Sequence, residues 1–368
     1  MLAIFDMSSV NVERYNSELL KRYSGKYIAY VDDPEYCNDL NCSDATLICT
    51  GGWSIKRIIN SFKAQGVSLV MISGQRPADF RVVIAANTLN IPIIYKMHGL
   101  YVAKVKRNIS FYFLSMKKVL RTIRYLIDIG LFTKYIRIPV GLLLSFVFGA
   151  SRKPWMITEV LHVDHCLVWS EYWRPWHERH WCMNPRKGWA TIGNPDTTKL
   201  TNTELNEEGV CYVYQTLVED GRVSKQIMGS FYDGLATTAL NKKLKIHVKW
   251  HARGEVMIRK DLESRGFIVH DELPLAKVYI GHFSSLLGLM PLVGGALVIF
   301  ELEGHITPKP IRQCASRIVS DMNGLEKALS SPCVLDENKR EQAEYYFGTY
   351  YSDSIEWAVI SQYLPYLN

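Results

Sequence analysis

"ATLICTGGWSIKRIINSFKAQGVSLVMISGQR", residues 45–76, decides how the chain is read. It opens on a short apolar run that enters a glycine turn (45–52). An amphipathic stretch closed by glycine follows (53–66), then a second apolar run and turn (67–76). A strand, a helix and a strand in so short a span make a βαβ unit, whose strands run parallel. The rhythm continues outward, with "ADFRVVIAANTLN" (78–90) as a helix and "IPIIYKMHG" (91–99) as a strand. It returns in "DHCLVWS" (164–170) and "GWATIGNPD" (188–196). Strands alternating with helices of this length predict a parallel sheet with helices on both faces.

The second half restarts the pattern. "VCYVYQTL" (210–217) reads as a strand and "VSKQIMGSFYDGLATTALNK" (223–242) as a helix. "LKIHVKWH" (244–251), "FIVH" (267–270), "KVYIGH" (277–282) and "ALVIFE" (296–301) are further strands, and a Tyr-rich helical tail runs from about Glu337. Between the halves, "TKLTNTELNEEG" (198–209) is polar and lacks a core face, as a linker does. A chain of 368 residues suits two domains. We expect an α/β fold of two Rossmann-like domains facing a central cleft. The first covers 1–200 and the second 201–340, with C-terminal helices, 341–368, returning to the first.

Residues 104–153 break the rhythm. They carry eleven Lys and Arg with Asp128 as the one acid, and Leu, Ile, Phe and Tyr are interleaved throughout. A basic helical hairpin buried in the domain is one reading. An element that lies on an anionic membrane without spanning it is the other, and basic and aromatic residues at one place favour it. The longest apolar run, 138–150, is too short to cross a bilayer. The stretch "EYWRPWHERHWCMNPRKGW" (171–189) reads as a packed helix or as the wall of an acceptor site.

Composition sets the class. The chain is 48% hydrophobic and 21% charged, with net charge +7, which are globular values and allow an anionic ligand or surface. No recognised nucleic-acid module surrounds the basic stretch, so a nucleic-acid partner is not expected. The N-terminus, "MLAIFDMSSVNVER", has neither a basic leader nor a secretory apolar core. None of the eight cysteines forms a CxxC pair, and the Cys37/Cys42 spacing lacks a second ligand pair. They read as reduced structural thiols in a cytosolic protein, with no metal site and no cofactor.

Ligands of open parallel sheets sit at the carboxyl ends of the strands. There the second half delivers Glu219-Asp220-Gly221, then "KWHARGE" with His251 flanked by Lys249 and Arg253. Further on come "GHFSS" with His282, Ser284 and Ser285, and "FELEGH" with Glu301, Glu303 and His305. Each piece has a plain reading: a surface turn with Gly221 at positive φ, a core histidine, a helix cap at Ser284-Ser285, solvated glutamates. An acid, an imidazole and a hydroxyl pair at successive strand ends is a chemical set.

In this order, "QTLVEDG…KWHARGE…GHFSSLL" resembles the bacterial GT-B sialyltransferases and polysialyltransferases. These carry a D/E-D/E-G motif, an HP motif and a paired-serine motif. Glu219-Asp220-Gly221, His251 and Ser284-Ser285 stand at the three, with Ala252 where the proline belongs. The resemblance covers roughly 210–300, and "HGLY" (98–101) echoes related transferases. It implies a CMP-sugar donor, usually CMP-sialic acid, and inversion at the anomeric carbon, on a bacterial protein, which the basic stretch 104–153 would dock to the inner face of the membrane. Glu219 or Asp220 would then be the general base. His251 would meet the leaving phosphate, with Ser284, Ser285 and Arg253 holding it. Glu272 is a candidate for the ribose hydroxyls. Gln75, Arg76 and His98, at first-domain strand ends, are candidates for the acceptor or donor-sugar side. The acceptor would be a glycan or lipid-linked glycan. CMP-Kdo or CDP-glycerol transfer, and a non-catalytic nucleotide- or glycan-binding protein on the same scaffold, are the alternatives.

Overall fold

The computed structural model describes the chain outside residues 24, 35–36, 38–44, 101–115, 149–154, 156–161, 201–208, 252, 306, 331–334 and 365–368. The expected insertion is therefore described from Met116 to Phe148, and the linker only at its ends. Ala252 and Tyr101 lie outside the described residues.

The chain divides into two units. The described residues of Met1–His98, Phe113–Pro195 and Tyr350–Asn368 make the first. Its sheet has seven parallel strands: β1 (Leu2–Asp6), β2 (Tyr27–Val31), β3 (Ala45–Cys49), β4 (Leu69–Ile72), β5 (Ile93–Lys96), β6 (His165–Val168) and β7 (Gly188–Thr191). They lie in the order β3-β2-β1-β4-β5-β6-β7. In register, Ile4 faces Ala29 on one side and Met71 on the other. β1 and β2 are buried along their whole length, as apolar runs covered on both faces must be. The strand order reverses between β1 and β4, which opens a crevice at their carboxyl ends.

Helices start where the sequence offers caps. Ser8 accepts the Asn11 amide at the head of Ser9–Arg22, and Ser54 the Arg57 amide at the head of Ile55–Ala64. The helix Pro77–Thr88 is buried from Pro77 through Ala86 and carries Arg81 into the core. There Arg81 pairs with buried Asp32 at 2.6 Å and lies over the Tyr125 ring. The helices Met116–Thr133 and Arg137–Phe148 form a hairpin in the β5-to-β6 crossover, closely packed where Gly130 meets Pro139. The tryptophan-rich segment is the packed helix Trp173–Trp181, with Trp173 and His177 buried.

Asp196–Thr349 supplies the sheet of the second unit. Its six parallel strands are β8 (Val210–Val213), β9 (Ile246–Lys249), β10 (Ile268–His270), β11 (Val278–Gly281), β12 (Ala296–Phe300) and β13 (Arg317–Val319). They lie in the order β10-β9-β8-β11-β12-β13, reversing between β8 and β11. The boundary thus falls between Pro195 and Asp196, a few residues before the expected one. The expected C-terminal segment divides. The helix Glu337–Phe347 belongs to the second unit, where Phe347 packs on Gly288, and the chain joins the first from Tyr350 onward. There the helix Asp353–Ile360 enters the core against Leu2, Ile4, Val12 and Leu19. Its Glu356 forms a buried ion pair with Lys96 at 2.6 Å, and Lys96 also donates to the Tyr15 carbonyl.

Candidate functional site

β8 leaves the ladder at Tyr214 and turns tightly over 217–221. The Asp220 amide returns to the Thr216 carbonyl at 2.9 Å, and Gly221, at φ 62°, lets the chain reverse. The turn holds two carboxylates in different settings. Asp220 is occupied: Thr216 Oγ1 donates to it at 3.1 Å and Arg253 lies 3.5 Å away. Glu219 accepts the Tyr214 hydroxyl at 2.6 Å and the Glu255 amide at 3.1 Å, both on Oε1. Its Oε2 is shielded from solvent and has no hydrogen-bond partner. Burial, and then the bond to Glu219, push the Tyr214 phenol far above its ordinary value, so it stays a donor.

The loop after β9 comes to meet this turn. Trp250 stacks on Tyr214 with centroids 4.3 Å apart. The His251 Nδ1 accepts the Arg253 amide at 3.1 Å, so the ring proton sits on Nε2 and makes that nitrogen the donor. Arg253 reaches back to Thr216 Oγ1 at 3.3 Å. Asp220, Arg253 and His251 are thus one bonded group, and Glu219 meets the same loop through the Glu255 amide.

The loop after β11 is tied to the same turn across the β8/β11 crevice. Gln215 Oε1 accepts the backbone amides of His282 and Phe283 at 3.2 and 3.0 Å. Ser284 and Ser285 follow at once, both half-buried. Ser284 caps the 3₁₀ helix Ser285–Val293, its Oγ accepting the Leu286 amide at 3.3 Å. His282 itself points into the core. Its Nδ1–H donates to the Phe300 carbonyl at 2.8 Å, and its Nε2 accepts from the Tyr212 hydroxyl at 3.2 Å. Burial lowers it to about 4, the mark of a structural histidine. After β12, Glu301 pairs with Arg312, while His305 stacks on Phe283 and donates to the Arg222 carbonyl. Glu272 stands exposed just past β10, two strands from β8, apart from this group.

The three first-unit candidates sit at the carboxyl ends of β4 and β5. His98 donates from Nδ1 to the Ser73 carbonyl at 2.7 Å and meets the Tyr15 ring edge-on. Gln75 is buried, donates to Met183 Sδ and lines a pocket with Phe80, Trp181 and Asn184. Arg76 is engaged within its own element. Both arms of its fork bind Asp79, at 2.8 and 2.9 Å, at the start of the helix Pro77–Thr88. Burial opposes its charge, but Asp79 and the neighbouring acids raise its pKa further.

Within each unit, sequence reasoning passed over further polar residues at the strand ends. Tyr214 and Gln215 lie in the quoted "YQTLVEDG", where an alternating strand would have marked them as simple strand positions. Asp6, at the end of β1, accepts from Asn11 and Ser73. Burial pushes its carboxyl up, yet the charges of His98 and Arg76 and these bonds hold it below the ordinary value. Its signal was the acid that closes "LAIFD". Among the described residues, no three His, Cys, Asp or Glu converge as a metal site.

No protein-family profile matches the sequence, and no curated protein does. Solved structures do. A putative UDP-N-acetylglucosamine 2-epimerase from Listeria monocytogenes matches with TM-score 0.55 at 10% identity, over 98% of this chain and 95% of that one. The UDP-GlcNAc 2-epimerase from Neisseria meningitidis, solved with UDP-GlcNAc bound, matches at 0.52 and 12%, over 99% of each. The wall teichoic acid polymerase TagF matches at 0.53 and 14%, over 99% of this chain and 86% of that one. The chain therefore has the GT-B-like fold of two parallel-sheet Rossmann-like domains.

Proposed function

We propose that the chain is an inverting glycosyltransferase that moves sialic acid, or a related nonulosonic acid, from a CMP-activated donor to a surface glycan. One observation carries the reading. At the switch point of the second sheet, a carboxylate with one oxygen unspent is bonded to a backbone amide of the same loop that carries a histidine N–H donor and an arginine.

Glu219 Oε2 takes the proton of the acceptor hydroxyl. The acceptor oxygen then bonds to the anomeric carbon from the face opposite the nucleotide. The bond from that carbon to the CMP phosphate oxygen breaks, and its electron pair leaves with CMP. His251, through Nε2–H, and Arg253 meet the charge that develops there. Ser284 and Ser285, at the head of the 3₁₀ helix, hold the phosphate. Asp220, spent on Thr216 and Arg253, keeps Arg253 in place, so Glu219 is preferred as the base. His98 and Gln75 serve the acceptor or the donor sugar. The protein works at the inner face of a bacterial membrane, close to a lipid-linked acceptor.

The likeness to TagF favours a second reading, transfer from CDP-glycerol, with CMP-Kdo as a further donor of the same plan. A donor panel of CMP-sialic acid, CMP-Kdo, CDP-glycerol and UDP-GlcNAc, assayed one at a time, separates them by which donor is consumed. CMP release from the sialic acid donor is expected. Turnover of CDP-glycerol, which gives up glycerol phosphate and also leaves CMP, selects the second reading, and turnover of UDP-GlcNAc alone defeats both. Binding of CMP without turnover of any donor marks a non-catalytic protein. Glu219→Gln should lower transfer by at least 10³-fold, with CMP still raising the melting temperature. His251→Ala should lower kcat by about 10²-fold. Wild-type turnover in both variants defeats the assigned site.

A further inference from the structure

We infer that the outer face of the helical hairpin is a lipid-inserting ridge, which seats the protein on an anionic bilayer by its apolar side chains as well as by charge. This deepens the peripheral association proposed above and rests on it. Met116, Leu120, Ile123, Ile127 and Leu131 follow one another at steps of three and four, so they share one face of the helix Met116–Thr133. All five are exposed, Leu120 at 60% and Leu131 at 76%. Ile136, at 76%, extends the ridge toward the second helix. The opposite face is already used: Tyr125, Leu126 and Ile129 are buried in the first unit. The Tyr125 hydroxyl holds Asp32 and the Gly52 amide. A helix on a water-facing surface puts polar residues on its outer face, and this one is apolar on both.

The charge around the ridge selects the partner. Arg124, Lys134 and Arg137 are exposed beside it. Asp128, the one acid between 104 and 153, is turned inward, where its Oδ2 accepts the Ile55 amide at 2.8 Å and heads the helix Ile55–Ala64. The face is thus apolar with a cationic rim, which fits a layer of anionic headgroups over acyl chains. A second copy of the chain fits poorly. A two-fold contact on this face would set Arg124, Lys134 and Arg137 against their own kind. The ridge lies on the bilayer and does not cross it, since no described helix is long and apolar enough to span.

The test is co-sedimentation with vesicles of phosphatidylcholine, with and without phosphatidylglycerol, at low salt and at about 0.5 M salt. Wild type should prefer the anionic vesicles and keep a measurable fraction of its binding at high salt. Leu120→Glu, Ile127→Glu and Leu131→Glu together should weaken binding at least tenfold at both salts. Arg124→Glu, Lys134→Glu and Arg137→Glu together should erase the preference for phosphatidylglycerol. CMP release with a soluble acceptor should be unchanged in the first variant, which also shows that it folds. Unchanged vesicle binding in that variant overturns the ridge and leaves the transferase reading standing. A wild-type dimer by light scattering that the variant converts to monomer, without vesicle binding by either, overturns it in favour of self-association.

Discussion

His282 sits beneath the strand-end loops of the second sheet with both ring nitrogens bonded, one to a carbonyl and one to a phenol. That arrangement needs the neutral ring. An unfolded imidazole takes up its proton near pH 6.5, whereas burial lowers this one to about 4. Between those values the unfolded chain binds more protons, so this contribution is whole above pH 6.5 and is lost as pH falls toward 4. The loss is on the order of 3 kcal/mol at the acid end. His177 in the first unit, lowered to about 3 by burial, works in the same direction. Urea unfolding at stepped pH should show the decline. The Cε1–H resonances of both residues should stay fixed between pH 7.5 and 5, and a normal titration at either would remove its share. In sequence, His282 stood beside Ser284 in one strand-end motif and looked equally available. Only the side-chain direction separates them: past the end of β11 at Gly281 the chain no longer follows strand alternation, so His282 turns into the core while Ser284 caps the 3₁₀ helix. Arg76 teaches the reverse lesson. Its partner Asp79, three residues on at a helix start, stood in the sequence as a local pair, while its place at a strand end suggested a ligand.

At the scale of elements, the alternation from residue 45 onward was legible because each strand was followed by an amphipathic helix. β1 and β2 were not read, although both are interior strands of the first sheet. Each is a five-residue run buried on both faces, so it shows no alternation, and β1 has no preceding helix to frame it. Helix docking shows the same gap between pattern and packing. Gly288 looks like a flaw in the apolar run after Ser284-Ser285. A Cβ there would overlap the Phe347 ring, so the glycine lets the helix Glu337–Phe347 lie against the 3₁₀ helix. Gly288→Ala should cost roughly 1–3 kcal/mol through overpacking. Differential unfolding of wild type and variant measures it, and a change below about 0.5 kcal/mol would mean that Phe347 can yield.

For the whole molecule, two α/β units followed from the restart of the pattern after a polar stretch. What no pattern announces is the buried ion pair by which the helix Asp353–Ile360 joins the first unit. Lys96 on β5 and Glu356 meet with 3% and 0% of their side chains exposed, and Tyr351 also donates to Glu356. Burial lowers the Lys96 pKa, and Glu356 is the group that opposes the fall. Removing one member of such a pair strands the other charge in the core. Glu356→Ala should cost roughly 3–5 kcal/mol, with Lys96→Met/Glu356→Leu recovering much of it. Thermal unfolding of the two variants checks this. Equal losses in both would show that the site depends on its polar contacts rather than on charge balance.

The Lys96–Glu356 pair spans 260 residues of chain, and that span sets an order of events at the ribosome. The lysine emerges early, and the whole second unit is translated before its counter-charge exists. Domains tend to fold as units during synthesis, so the second unit can close while the first still waits. During that interval the earlier-made half is the natural client for chaperones, and clipping of the tail by a protease would return it to the same state.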